Sequence, residues 1–224
     1  MKKFALAIDG PSGAGKSSIA KALAKSLGII YVDTGAIYRT VGLYVFRQGI
    51  DSKDREKIIP LLNHINIRLA YADNAQHIYL NEEDVSDKIR TETISKYASD
   101  VSAIPEVRAF LLSLQRDMAK GNSVVMDGRD IGTVVLPNAE IKVFLTASAE
   151  VRAERRYKEL IAKGENVTFD SVLAAINQRD KNDSSRATAP LKAADDAIIL
   201  DNSYLTAEDT LQKFSEIIES RIGI

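Results

Sequence analysis

One stretch of this sequence narrows the choice of fold more than any other: a short apolar run that ends in a glycine-rich octapeptide and passes directly into helical periodicity. Phe4–Ile8 is apolar and closes at Asp9-Gly10-Pro11, the pattern of a buried strand stopped by a turn. Gly10-Pro11-Ser12-Gly13-Ala14-Gly15-Lys16-Ser17 then has the form G-x-x-x-x-G-K-[ST]. From Ser17 onward Ile19, Ala20, Leu23, Ala24 and Leu27 recur on one helical face, and Gly28 stands where a helix stop belongs. The order has a physical reason. Glycines let successive backbone N–H groups curl inward onto phosphate oxygens, and the following helix adds the positive end of its dipole. Lys16 can reach β- and γ-phosphates, and the Ser17 hydroxyl can ligate Mg²⁺. A strand–loop–helix unit of this kind predicts a nucleoside-triphosphate site over Gly10–Ser18 in an α/β protein.

The rest of the chain fits that frame. Ile29–Val32, Ser123–Met126, Ile141–Leu145 and Ile198–Leu200 read as further strands, the last followed by a helical pattern over Ala207–Ile218. Strands alternating with helices predict a five-stranded parallel sheet flanked by helices. The stretch 34–121 breaks the rhythm and reads as an insert in a core made of 1–33 and 122–224. It has helical patterns at Tyr38–Gln48, Lys53–Asn63, Thr91–Ser102 and Glu106–Met118. Between them Ile65–Tyr71 alternates like a half-buried antiparallel strand, with His77–Leu80 as its partner across a turn at Asp73-Asn74.

Composition removes several classes. Lys and Arg number 30 against 31 Asp and Glu, so the net charge is −1 and a broad nucleic-acid-binding surface is not expected. With 0 Cys and 2 His there is no disulfide framework, thiolate metal site or thiol nucleophile, and no three-histidine metal site. Only five apolar residues, Phe4–Ile8, follow the basic start before an acid, whereas a secretory signal needs about 7–15. No run reaches the roughly 18 residues of a membrane span. The expectation is a cytoplasmic protein that does not engage membranes.

Two kinds of phosphate-loop protein remain. A GTP-dependent switch reads guanine with Asn-Lys-x-Asp and senses the γ-phosphate with Asp-x-x-Gly. Asn177-Gln178-Arg179-Asp180 lacks the Lys, and none of Asp9, Asp33, Asp127 and Asp130 has glycine three residues on. Clustered arginines point instead to a small-molecule kinase. Arg39 follows the second strand, Arg129 the third, and Arg152, Arg155 and Arg156 share one helix face. Like charges so placed cost about 0.2–0.5 kcal/mol per pair, which a bound phosphate would reverse. A salt-bridged solvated face is the competing reading, with Glu159 four after Arg155 and Lys158 four after Glu154.

Five segments together resemble the bacterial cytidylate kinase family: IDGPSGAGKSS at 8–18, DTGAIYR at 33–39, IRTETISKYASDVSAIPEVR at 89–108, DGRDIGTVVLP at 127–137 and RDKNDSSRATAPL at 179–191. The resemblance covers essentially the whole chain. It implies a P-loop kinase with a monophosphate-binding insert and a helical lid at about 150–166, transferring the γ-phosphoryl group of MgATP to CMP or dCMP. It further implies that Arg39 and Arg129 hold the CMP phosphate, with the Thr34 hydroxyl near the sugar or phosphate. Ser99, Arg108 and Asp130 would face cytosine, and Arg179, Asp183 and Arg186 would serve ribose and phosphates. Arg152, Arg155 and Arg156 would lie on the lid and act with Lys16 and Arg129 in catalysis.

Chemistry is consistent with those roles. A carboxylate at Asp130 accepts from the cytosine N4 amino group and repels uracil O4, while Arg108 can donate to the acceptor edge. The nucleophile would be a phosphate oxygen, mostly ionised near pH 7 because a monoester's second pKa is about 6. No general base is then needed, in keeping with two histidines, His64 and His77, that lie in the insert and read as structural. Asp9 and Asp127 each end a strand beside the loop, and either could order metal-bound water or bind backbone or arginine instead. No segment advertises a self-pairing face, so a monomer is expected.

Overall fold

A computed structural model describes residues 3–72 and 75–223. In chain order the elements are β1 (Ala5–Asp9), α1 (Lys16–Leu27), β2 (Ile30–Asp33), α2 (Thr34–Arg47), α3 (Arg55–Leu61), β3 (Ile67–Ala72), β4 (Ala75–Leu80) and β5 (Glu83–Asp84). They continue with α4 (Glu92–Val101), α5 (Pro105–Ala119), β6 (Val124–Gly128), β7 (Ile141–Thr146), α6 (Ala149–Ala162), α7 (Phe169–Ser184), β8 (Ile198–Asp201) and α8 (Ala207–Ile222). Chain contacts divide these elements into two compact units, Met1–Tyr31 with Gly121–Ile224, and Val32–Lys120.

The first unit is built on a five-stranded parallel sheet in the order β2-β6-β1-β7-β8. β1 pairs in parallel with β6 on one side and β7 on the other, as buried central strands of continuous apolar sequence do. Leu6, Ile8, Val125, Val143 and Leu145 share a core with Ile19, Ala20 and Leu23 of α1 and with Phe214 and Ile218 of α8. Between β6 and β7 the chain makes a wide π-helical turn, Ile131–Val135, closed by the Leu136 N–H donating to the Ile131 carbonyl at 2.7 Å. Sequence periodicity does not foresee this turn, because five residues are too few to show a period.

The second unit packs α2 against α4 and carries a separate antiparallel sheet, β3-β4-β5. Gly42 sits at the helix crossing, where a Cβ would stand 2.9 Å from the Ala98 nitrogen. α2 begins at Thr34 rather than near Tyr38, because Asp33 ends β2 and at once caps the helix through the Ala36 N–H at 2.9 Å. α3 is shorter than the pattern over 53–63: Asp54 caps it, and beyond Pro60 the chain tightens into a 3₁₀ turn, Leu62–His64. The small sheet has a strand, β5, that its sequence does not announce. The two-residue turn Asn81-Glu82 joins it to β4 with φ of 48° and 74°. The turn expected at Asp73-Asn74 lies outside the described residues.

Candidate active site

Three glycines shape the loop between β1 and α1. Gly10 has φ 149°, and a Cβ there would lie 1.9 Å from the Leu145 carbonyl oxygen, so only glycine fits against β7. Gly13 and Gly15 take φ of 80° and 89°, and α1 starts from Gly15 with no side-chain cap. The N-terminal N–H groups of α1 thus keep their dipole end clear of a competing side-chain oxygen. Lys16 is buried with its ammonium donating to the Pro11 carbonyl at 2.7 Å. Burial, then the nearby Arg129 guanidinium, push its pKa well below the ordinary lysine value, while Asp127 and Asp9 work the other way.

Strand register separates the two acids that sequence leaves equivalent. Asp127 lies opposite Ile8 and Asp9 opposite Gly128, so the two carboxylates leave opposite faces of the sheet. Asp127 is on the α1 side, where it accepts from the Ser17 hydroxyl at 2.9 Å and from the Tyr31 hydroxyl at 2.9 Å. Asp9 is on the other side and accepts from the backbone N–H groups of Ile131 and Gly132, each at 2.7 Å. Burial drives the Asp9 pKa up to about 6 against those two bonds. The paired oxygens of Ser17 and Asp127 suit a hard cation that keeps several waters. Among the described residues no cluster of three or more His, Cys, Asp or Glu could hold a metal ion.

Two acids of helix α7 gather Arg129, Arg152 and Arg186. Asp180 and Asp183 stand three apart on one face. The Arg129 Nε donates to Asp183 at 2.8 Å, and Arg186 approaches the same carboxylate at 3.5 Å. Burial alone would raise the Asp183 pKa, but Arg129, Arg186 and Arg179 outweigh it and hold it below the ordinary carboxylate value. Arg152, buried on α6, forms a two-pronged pair with Asp180 at 3.1 and 2.6 Å and also donates to the Ser12 carbonyl of the loop at 3.1 Å. Arg155 donates to the Asn202 side chain at 3.2 Å and to its carbonyl at 2.9 Å, and Asn202 donates in turn to the Ala14 carbonyl at 3.1 Å. Arg156 pairs with Glu159 at 2.7 Å, and Lys158 with Glu154 at 2.8 Å. The shared helix face therefore splits. Arg152 and Arg155 reach the phosphate loop and its neighbours, while Arg156 takes the Glu159 that spacing had offered to Arg155. Asp130, also in this unit, is buried between Arg129 and the π-helical turn, its carbonyl accepting from Val134 and Val135 at 2.9 and 3.1 Å.

In the second unit Asp33 accepts from Arg39 at 3.1 and 3.3 Å, and Arg90 lies 3.5 Å from it. Among the described residues nothing accepts a hydrogen bond from the buried Arg39 Nε. Thr34 is buried beside Asp33 at the start of α2. Ser99 and Arg108 come together at the α4–α5 corner through Ser102. The Ser102 hydroxyl donates to the Ser99 carbonyl at 2.8 Å, and Arg108 donates to the Ser102 carbonyl at 3.2 Å. Arg108 also lies over the Tyr38 ring, 5.5 Å from its centre. Sequence reasoning missed Asp180, Asn202 and Tyr31. The three-residue spacing of Asp180 and Asp183 was a usable signal; nothing local marks Asn202 or the Tyr31 hydroxyl.

A phosphate loop, a five-stranded parallel sheet with the ionisable groups at the carboxyl ends of its strands, and a separate small antiparallel sheet define a P-loop kinase. In fold alone the chain is similar to a shikimate kinase from Acinetobacter baumannii (TM-score 0.50, 15% identity, covering 99% of this chain and 96% of that one). It is likewise similar to an uncharacterized protein from Eubacterium ventriosum (TM-score 0.53, 14% identity, 98% and 100% covered). The profile of the family described as Cytidylate kinase matches residues 6–220. Proteins named cytidylate kinase are 52% identical in Caldicellulosiruptor saccharolyticus, over 100% of this chain and 99% of that protein. In Leuconostoc mesenteroides the figures are 46% over 100% of both. The chain belongs to the cytidylate kinase family, and it is a phosphotransferase.

Proposed function

We propose that this protein transfers the γ-phosphoryl group of a nucleoside triphosphate, ATP with Mg²⁺, to CMP or dCMP, giving ADP and CDP or dCDP. The observation that carries the reading is electrostatic. Arg129 and Arg186 share Asp183, Arg152 reaches the Ser12 carbonyl of the phosphate loop, and burial followed by repulsion from Arg129 and Arg179 pushes the Lys16 pKa down. Phosphate would relieve that repulsion. Gly10–Ser18 binds the triphosphate, with Lys16 leaving the Pro11 carbonyl for phosphate oxygens. Ser17, paired with Asp127, would hold Mg²⁺, which would supply charge neutralisation at the phosphoryl oxygens. Asp9 is committed to the backbone of Ile131 and Gly132 instead.

On the acceptor side, Arg39 and Arg129 bind the monophosphate, and Arg179, Asp183 and Arg186 bind ribose and phosphates. Ser99, Arg108 and Asp130 read cytosine, and Thr34 offers a hydroxyl near sugar or phosphate. In this reading 34–121 is the monophosphate-binding insert of a core made of 1–33 and 122–224, and about 150–166 is a lid that brings Arg152, Arg155 and Arg156 to the transferring group. The acceptor oxygen is already ionised near neutral pH, so the side chains orient, neutralise and exclude water rather than abstract a proton. No helix among the described residues is long and apolar enough to cross a membrane. We place the enzyme in the cytoplasm as a monomer, without nucleic-acid or membrane partners.

ADP release from MgATP is measured with CMP, dCMP, UMP, AMP or no acceptor. Fast turnover with CMP and dCMP, slow turnover with UMP and almost none without acceptor is the expected pattern. Equal rates with UMP would remove the cytosine assignment. No stimulation by any acceptor would remove the kinase reading.

A further inference from the structure

We infer that Asp9 is a positioning residue that sets the acceptor-side pair Arg129-Asp130 in register with the phosphate loop; the inference rests on the acceptor role proposed for that pair. One residue holds the pair from both ends. Through its backbone Asp9 lies opposite Gly128 in the β1–β6 ladder, which fixes the chain just before Arg129. Through its carboxylate it accepts from the Ile131 and Gly132 N–H groups at 2.7 Å each, which fixes the chain just after Asp130. The next residue along is Gly10, the first of the phosphate loop. The strand end that launches the donor loop is therefore the clamp on the acceptor residues.

The surroundings explain why the clamp takes this form. A carboxylate is the shortest side chain that offers two oxygens to two adjacent N–H donors. At Gly132 a Cβ would meet Asp9 Oδ2 at 3.4 Å, an ordinary contact, and the Lys142 stem more tightly, at 3.1 Å from Cδ. The π-helical turn starts at the clamped residues, and its first carbonyl acceptor is Asp130 itself. Asp9 thus makes no substrate contact in this account and acts through the backbone it holds.

The test is Asp9→Asn, which keeps the shape but turns an amide NH₂ toward one of the two N–H donors. Two readouts are taken. Amide hydrogen exchange at Ile131 and Gly132 reads the clamp directly and does not depend on any assigned activity; exchange at least roughly tenfold faster than in the unmodified protein is expected. Steady-state kinetics with CMP and ATP varied separately read its consequence. A monophosphate KM raised roughly tenfold to a hundredfold, with the ATP KM changed less than about threefold, is expected. Asp9→Ser, small enough for the site but with one oxygen in place of two, should reproduce the asymmetry, and it decides the matter if Asp9→Asn fails to fold. Unchanged amide exchange, or equal rises in both KM values, overturns the inference. Faster exchange in a protein that no CMP stimulates would instead leave the clamp standing and remove the acceptor role of Arg129-Asp130.

Discussion

Asp183→Asn tests the charge cluster that organises the first unit. The carboxylate is buried, accepts from Arg129 at 2.8 Å and lies 3.5 Å from Arg186, with Arg179 also in its field. Neutralising it removes the common counter-ion of three guanidinium groups. Breaking a buried ion pair at one partner costs about 3–5 kcal/mol. Asparagine keeps one oxygen for the Arg129 Nε, which favours the lower end, about 3 kcal/mol. For a chain of 224 residues each kcal/mol moves the melting midpoint by roughly 2–4 °C, so a fall of about 6–12 °C is expected. The pH dependence has a definite sign. The folded-state pKa of Asp183 is held below its ordinary 3.8, so its stabilisation is present above that value and is lost as pH falls through the lowered one. Urea unfolding followed by far-ultraviolet circular dichroism from pH 7 down to pH 3 suits a protein with no Trp. The gap between the two proteins should be widest at pH 7 and narrower at pH 3. A loss below about 1 kcal/mol, or a gap that persists unchanged at pH 3, would refute the reasoning, because the arginines would then be screened by solvent rather than by Asp183.

Other perturbations have distinct signatures. Lys16→Ala should lower kcat by at least about a hundredfold with the circular dichroism spectrum intact, and a near-normal kcat would remove Lys16 from the chemistry. Asp130→Ala should narrow the preference for CMP over UMP by roughly tenfold, a loss of about 1–3 kcal/mol of base discrimination, read from the ratio of kcat/KM values. Gly10→Ala should cost more than about 1 kcal/mol of stability, since its Cβ would meet the Leu145 carbonyl at 1.9 Å; urea unfolding at the unmodified midpoint would contradict the packing. The Asp9 pKa is raised from 3.8 to about 6, so its contribution to stability is full below the lower value and lost as pH rises through the upper one. Relative to Asp9→Asn, the unmodified protein should therefore gain on the order of 3 kcal/mol on going from pH 7 to below pH 4, and a flat difference would mean that the carboxylate is hydrated.

Much of this protein is written locally. The apolar run before Gly10, the glycine spacing and the helical periodicity after Ser17 are adjacent in the chain, so strand, loop and helix can be read without knowing what surrounds them. The same holds for the other four core strands, displaced by a residue or two at their ends. The family resemblance was legible for a related reason: its motifs are short, contiguous and chemically demanding. Helix starts were less legible, because a cap such as Asp33 can serve the strand before it and the helix after it at once.

Partnership was decided by the tertiary structure. Asp9 and Asp127 are both strand-end acids, and only the register of β1 against β6 sends one to Ser17 and the other to the backbone of Ile131 and Gly132. Arg152, Arg155 and Arg156 share a helix face by spacing, yet their partners are Asp180, Asn202 and Glu159, of which only the last lies nearby in sequence. Periodicity and turn chemistry act over a few residues and can be read from a one-dimensional string. The choice of which charge neutralises which acts through space, between segments more than a hundred residues apart in the case of Asp9 and Ile131, and it exists only once the sheet has brought those segments together.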